Sequence, residues 1–445
     1  MTSKPKIVIV GGGSNSWTPN IVRDMLLTDS LSNAEYVLFD INKQASDLTK
    51  AFLDKLAGRL GLTPRIVSTD NRTRALKDAD YIIITISTGG LKAMAHDLAI
   101  PDEYGIYHPV GDTCGPGGWA RFIRNFDVFV SLARDMNRCA PGAIVLNYSN
   151  PMTTLTDVLA RLFKGPVVGL CHGLFGNLDF IKRLYNLKSE DEIAAKYAGL
   201  NHFFWITEAR AGGIDVIADL TRRLRRQELG GLLKGKYADA MGWTSGRKLA
   251  TELFRQTGVM PYVGDRHTSE FFSCYITSRK NMKKYGIERT NMSQRRKAYT
   301  DRTKRLQKMI KGRIDQEYFD RSRETAADII AAHWQGKVFI DVGNVPNVGQ
   351  ISSLPHGVVV ETAVRVDRNG FTPLTFGPLP EPVQSMVAPW AAVFTMWVDA
   401  CFKKDKELAL QALRLDPICS HMTGRQVNEM GRRLLTVHKR YITVF

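Results

Sequence analysis

The chain has 445 residues, of which 44% are hydrophobic and 24% charged. That balance excludes a mainly disordered chain, a fibrous repeat and a small disulfide scaffold, and the length suits two or three structural units. A net charge of +17 attracts anions, so nucleic acid, anionic lipid and acidic small molecules are all eligible partners on charge alone.

In chain order, the opening KIVIV reads as a buried strand that runs into GGGSNSW and then a helical PNIVRDMLL. EYVLFDI, DYIIITIS, AIVLNYS and PVVGLC repeat the pattern, each separated from the next by a helix-length segment. Continuous β-branched runs alternating with helices predict parallel strands covered on both faces. The fold class expected is therefore α/β, a Rossmann-like doubly wound sheet over residues 1–195. An α+β domain over residues 196–445 follows, in the layout of a lactate or malate dehydrogenase. Within that second part, FFWITEARAGGIDVIADL predicts a strand, a Gly-Gly turn and a second strand. Helix is expected from about Leu249, strands in GKVFIDVGNVPN and GVVVETAVRVDRNGF, and helix again from Pro389 to His438.

Gly11, Gly12 and Gly13 lie where a strand turns into a helix, and Ser14 and Asn15 continue the loop. Backbone can approach a pyrophosphate there, and the helix N-terminus offers N–H groups and a positive dipole end. Ser16 stands where the third glycine of the usual fingerprint would be. Asp40 ends the second strand, where a carboxylate accepts from ribose hydroxyls and repels a 2′-phosphate, which favours NAD over NADP.

PVVGLCHG sets Cys171 and His172 just past a strand, and YAGLNHFFW puts His202 at a second apolar boundary. One thiolate and one imidazole make a partial site for a divalent metal, although each alone is more often a packed core residue. HPVGDTCGPGGWARFIRN carries Asp112 in a glycine-rich loop, followed by Arg121 and Arg124; such a loop can lie over a substrate and an arginine can hold an anion. NYSNP holds Asn147 and Asn150 at another strand end. GVMPYVGDRHTSEFF gathers Tyr262, Asp265, Arg266, His267 and Glu270, a candidate acid/base loop or simply polar surface. Residues 279–313 are strongly basic. With no RNA-recognition signature, zinc-finger spacing or helix-turn-helix pattern, they are read as a solvated helical face or an oligomer contact, not a nucleic-acid site. The six cysteines follow no spacing pattern and are expected to be reduced thiols. No apolar run of 18 or more residues is expected to span a membrane, which points to a cytoplasmic location.

Taken together, GGGSNSWTP, Asp40, GDTCGPGG, NYSNP, VVGLCHG, AGLNH, MPYVGD and NVPNVGQISSLPHGVVVE resemble glycoside hydrolase family 4 over nearly the whole chain. The resemblance implies an NAD- and divalent-metal-dependent glycosidase. In that family NAD+ takes a hydride from C3 of the sugar, a base removes the acidified C2 proton, and the aglycone leaves by elimination. Water then adds and the hydride returns. It further implies Cys171 and His202 as ligands of Mn2+ or a similar ion, and Asn150 at substrate and nicotinamide. Asp265 would be the C2 base with Tyr262 second, and Asp112 the proton donor. The phospho-sugar branches carry Asp or Asn directly after the metal cysteine, whereas this chain has His172. That departure leaves the general acid open, with His172 a further candidate. It also argues for a non-phosphorylated glycone, and the basic balance with Arg121, Arg124 and Arg266 leans toward an anionic one such as an α-glucuronide, an α-galacturonide or a sulfoquinovoside. A neutral α-glucosidase or α-galactosidase is the alternative within the family, and a 2-hydroxy acid or sugar dehydrogenase the alternative outside it. A small-molecule glycoside and a homodimer or homotetramer are the expected partners.

Overall fold

Six strands form the first half of the sheet: β1 (Lys6–Val10), β2 (Glu35–Phe39), β3 (Arg65–Thr69), β4 (Tyr81–Ile84), β5 (Ile144–Asn147) and β6 (Val167–Gly169). The computed structural model, which describes residues 4–233 and 246–445, pairs them all in parallel in the order β3-β2-β1-β4-β5-β6. Side chains of β1 alternate between two separate cores, Val8 and Val10 on one face and Ile7 and Ile9 on the other. A strand buried on both sides must be apolar throughout, which is why KIVIV carries no polar alternation. The doubly wound half of the expected fold is present.

The sheet does not stop at β6. It continues through β7 (Ile193–Leu200), β8 (Phe203–Ala211), β9 (Ile214–Asp215), β10 (Met260–Pro261), β11 (Phe339–Pro346), β12 (Val359–Asp367) and β13 (Gly370–Pro373) to give 13 strands. β11 joins β6 antiparallel at Asn344 opposite Gly169, and β12 carries the sheet on to β7 at Glu361 opposite Gly199. Residue 195 lies inside β7. The Gly212-Gly213 turn predicted from FFWITEARAGGIDVIADL exists, but the second strand is only Ile214–Asp215. There Asp215 accepts from the Ala218 N–H and caps the helix Val216–Arg223, so the remaining apolar residues go into a helix, not a strand.

One transverse row of paired residues crosses the strand ends, namely Phe39, Val10, Ile84, Asn147, Gly169, Asn344, Glu361, Gly199 and Phe204. Residues in register share a face of the sheet. The carboxyl ends of the parallel strands therefore lie in line with polar groups from the second half.

The basic stretch forms helices Arg279–Tyr285 and Met292–Lys311. An 18-residue stretch of the helix Glu381–Lys403 has a mean hydropathy of 1.3, which corrects the expectation that no segment is long and apolar enough to cross a membrane. Its apolar residues Val387, Trp390, Phe394, Trp397 and Val398 are buried in the main core with Trp119, Phe122 and Phe126, so packing explains its composition. All six cysteines are free thiols.

Candidate active site

The glycine loop is dictated by crowding. Gly11 has φ +99°, and a Cβ there would stand 2.7 Å from Thr85 Oγ1. A Cβ on Gly12 would meet the Leu38 Cα at 2.7 Å, and one on Gly13 would meet Ala45 Cβ at the same distance. The loop folds because Gly11 and Gly12 donate to the Phe39 carbonyl and Gly13 donates to Asp40 Oδ2 at 2.9 Å. The helix Thr18–Leu26 then starts with Pro19 in its first turn, so the loop leads to a helix N-terminus. A glycine turn with no side chains of its own, beside an acid at the second strand and leading to a helix N-terminus, fits a dinucleotide's diphosphate and ribose.

The second cluster is built on a hairpin. β7 and β8 are joined by Asn201 and His202 alone, and His202 has φ +63°. A non-glycine residue there is uncommon, and the ring of His202 reaches Thr113 on one side and Cys171 on the other. His202 Nε2 lies 3.3 Å from Cys171 Sγ. Metal bonds of the usual lengths would hold S and N about 3.1 Å apart at a right angle and about 3.6 Å apart in a tetrahedron, so the pair is spaced to share an ion. Ring nitrogens of His202 and His267 and an oxygen of Asp112 all lie within 4.8 Å of one another. The tautomer follows from Thr113. Its hydroxyl donates to Asp112 Oδ1 at 3.0 Å, so its oxygen is left to accept from His202 Nδ1–H at 2.9 Å. Nε2 is then unprotonated and turned to the thiol, the arrangement a ligating histidine needs. Burial, then the neighbouring His267, holds His202 well below its usual pKa, and burial depresses His267 as well.

Asp112 is a carboxylate. Burial opposes its ionisation, but Arg121, the two imidazoles and the Thr113 hydroxyl bring it to about 2. Because the imidazoles are themselves neutral, the direction rests on Arg121 and Thr113. This environment favours Asp112 as a proton acceptor over the expected proton donor. Asp265 also differs from expectation. Its two oxygens accept from the Leu249 and Ala250 N–H groups at 3.0 and 3.1 Å, so it caps the helix Lys248–Thr257, and it is 2% exposed. That geometry corrects the picture of Asp265 as an available base. Arg266 likewise donates to the Glu288 and Pro109 carbonyls and to Thr290, stapling the Asp112 loop. Tyr262 is at the site: its ring stacks on that of His202, with centroids 6.0 Å apart. A Cβ on Gly264 would lie 2.4 Å from the Tyr262 ring, so glycine permits this fold-back.

Arg121 Nε donates to the Asn150 carbonyl at 2.9 Å, while its charge reaches Asp112. The Asn150–Pro151 bond is cis, and Asn150 Oδ1 is buried without a partner. His172 pairs with Glu324 at 3.3 Å and lies 5.9 Å from the Trp17 ring. Burial disfavours its protonation, but Glu324 outweighs that and raises its pKa.

Of four supporting groups, sequence reasoning missed Glu361 and Glu324 and named Glu270 and His267 without their roles. Glu361, wholly buried on β12, accepts from Asn201 and Asn344 at 2.9 Å each, and burial lifts its pKa to about 7. Its signal was an acid in an otherwise apolar strand, VVVETAV. Glu270 accepts from the Val110 and Gly111 N–H groups and faces His108, fixing the loop of Asp112. His267 was seen only as one of many titratable residues, and Glu324 carried no local signal at all. Orphaned buried atoms gather here: Asn150 Oδ1, His267 Nδ1, Glu361 Oε1 and Asn201 Oδ1. Such atoms normally find partners, so a polar ligand belongs in this space.

Residues 6–187 match the family 4 glycosyl hydrolase domain, and residues 197–419 match the family 4 glycosyl hydrolase C-terminal domain. The chain belongs to glycosyl hydrolase family 4. As a member of that family it is a glycosidase, and its fold is the one expected from its sequence. It is 30% identical to an α-galacturonidase of Thermoanaerobacter italicus over 98% of this chain and 97% of that one. It is 30% identical to an α-galactosidase of Bacillus subtilis over 97% and 98% respectively. A solved 6-phospho-α-glucosidase from gut microorganisms, in complex with NAD and Mn2+, shares the fold with a TM-score of 0.83 at 20% identity, covering 99% of each chain.

Proposed function

We propose that this family 4 glycosidase cleaves an α-linked glycoside of a non-phosphorylated, anionic sugar, a uronide, using NAD+ and a divalent cation such as Mn2+. The observation that carries the reading is the convergence of Cys171, His202, His267 and Asp112. They lie beyond the same strand ends that present the glycine loop. The relatives named α-galacturonidase and the solved neighbour holding NAD and Mn2+ support it.

Bound there, NAD+ supplies reversible hydride transfer and the cation polarises the sugar oxygens. Cys171 Sγ and His202 Nε2 would hold the ion, with Thr113 fixing the imidazole. Asp112, ionised and adjacent, is fitted to accept the C2 proton, with Tyr262 the second choice. Asn150 Oδ1 would accept from a sugar hydroxyl or the carboxamide. Arg121, whose Nε is committed to Asn150, presents the rest of its guanidinium to a glycone carboxylate. His172, whose pKa Glu324 raises against the opposing effect of burial, is the candidate donor to the leaving group.

The neutral reading, an α-galactosidase, has its own support in the Bacillus subtilis relative of equal identity. A panel of p-nitrophenyl glycosides decides between them: α-galacturonide, α-glucuronide, α-sulfoquinovoside, α-glucoside, α-galactoside and a 6-phospho-glucoside, each with and without NAD+, Mn2+ and reductant. We expect release from a uronide that needs all three additions and leaves no net NADH. Faster release from the neutral α-galactoside would transfer the assignment, and steady NADH accumulation without release would return the chain to the dehydrogenases.

A further inference from the structure

The basic helix Met292–Lys311 has no part in the chemistry above, yet it is tied to the glycine loop. Asn15 Nδ2 donates to the Tyr299 carbonyl at 2.9 Å and to Thr303 Oγ1 at 2.8 Å. The far end is anchored as well. Lys55 Nζ, on the helix Lys43–Arg59 that follows β2, donates to the Met309 and Ile310 carbonyls at 2.9 Å each. A cation on those last carbonyls also suits the helix dipole. Leu306 and Met309 are buried in the core cluster beneath the same helix. The helix thus crosses above the loop.

Its charges divide by face. Arg296, Lys297, Lys304 and Lys308 are exposed. Arg295 and Arg302 are partly buried, and seven residues in a helix separate them by two turns on one side. Among the described residues neither has a carboxylate within 4.0 Å, whereas many other arginines of the chain do. Arg302 Nε is buried without any hydrogen-bond partner. Burial and the neighbouring Arg295 both disfavour its charge. Arg295 lies four residues before Tyr299 and Arg302 three after it, so helix periodicity puts both cations on the side of the helix where Tyr299 meets Asn15, and two cations without a carboxylate there call for an anion.

Resting on the NAD+ reading given above, we infer that this helix is the cover of the dinucleotide cleft and that Arg302, set by the Asn15 contacts, meets the cofactor's diphosphate. The helix Thr18–Leu26 behind the loop turns its positive dipole end to one side, and Arg302 offers a guanidinium from the other. Charge-assisted contacts of this kind weaken binding by roughly 10- to 100-fold when removed. The basic stretch is then a cofactor element and not a surface face.

The test is titration calorimetry of the full chain with NAD+, ADP-ribose and adenosine. The proteins are wild type, Arg302→Gln, Arg302→Lys and the exposed-face control Arg296→Gln. Arg302→Gln should weaken NAD+ and ADP-ribose about 10- to 100-fold and leave adenosine unchanged. Arg302→Lys should fall between, and Arg296→Gln should match wild type. Melting curves without ligand report whether each variant is folded, and the lysine variant keeps the test alive should the glutamine variant fail to fold. Equal affinity of Arg302→Gln and wild type for NAD+ overturns the inference. So does an equal loss for adenosine, or a change confined to the KM for a uronide, which would hand Arg302 to the glycone. A wild type that takes up no NAD+ overturns the proposed function itself, a result distinct from all of these.

Discussion

Thr113 has one proton and two neighbours, and that asymmetry orders the site. Its hydrogen goes to Asp112, so His202 must be the donor on Nδ1 and keeps Nε2 bare toward Cys171. The two aspartates that sequence reasoning offered for catalysis are separated by the same kind of accounting. Asp112 has one oxygen on a hydroxyl and an ionised state maintained by Arg121, whereas Asp265 spends both oxygens on backbone N–H groups. Asp112→Asn should therefore lower kcat by about 10²- to 10⁴-fold with the fold intact. Asp265→Asn should cost about 1–3 kcal/mol of stability through loss of a charge-assisted cap. Steady-state kinetics beside thermal melts on both variants checks this. A stable Asp265→Asn protein with collapsed kcat would restore Asp265 as the base.

At the scale of elements, the glycine loop is a packing solution before it is a binding site. Gly11 is crowded by Thr85 just past β4, Gly12 by Leu38 on β2, and Gly13 by Ala45 of the helix Lys43–Arg59. Gly12→Ala would press a methyl against Leu38 backbone and side chain at 2.7 Å. It should destabilise the chain by about 1–3 kcal/mol and lower NAD+ affinity together, read as a melting shift with and without ligand. An alanine variant as stable as wild type would mean the loop has room to move. Strand runs such as KIVIV and the loop after them were legible because a strand buried on both faces and a tight turn each restrict local residue choice. The destination of the basic helix was not. Its composition records the face toward water, and nothing local says that Asn15, far away in the chain, sits beneath the other face. The same holds for Asp265, whose partners Leu249 and Ala250 lie in a different element, and for Glu324 beside His172. The family resemblance brought the right residues into one region but not their division of labour.

Across the whole molecule, several buried carboxyls share one pH dependence. Asp416 accepts from the Ile418 N–H at 2.9 Å through one oxygen, while its other oxygen is buried without a partner. Burial raises its pKa to about 7, against the opposing Ile418 bond and His108. Glu361, near 7, and Asp341, near 6, are raised by burial too. An unfolded carboxyl titrates near 4, so between about pH 4 and pH 7 the native state holds more protons than the unfolded one. Stability is full below that window and falls as pH rises through it. Asp416→Asn keeps an acceptor for Ile418 and removes the titration. The drop in melting temperature from pH 5 to pH 8 should be smaller in the variant than in wild type, by scanning calorimetry. Identical drops would place the dependence on other groups.

The row of register partners that links Val10 to Glu361 has a mechanical meaning. Neighbouring strands are about 4.8 Å apart, so the three steps from β1 through β4 and β5 to β6 fix the strand that opens the glycine loop about 14 Å from the one that delivers Cys171. The further antiparallel steps through β11, β12 and β7 bring in His202 on the same plank. The seam between the two halves is narrow, a single paired position at Asn344 and Gly169. The enzyme's working parts are therefore spaced along one sheet whose seam, at Gly169 and Asn344, lies between the strands of the glycine loop and the strand pair that carries His202.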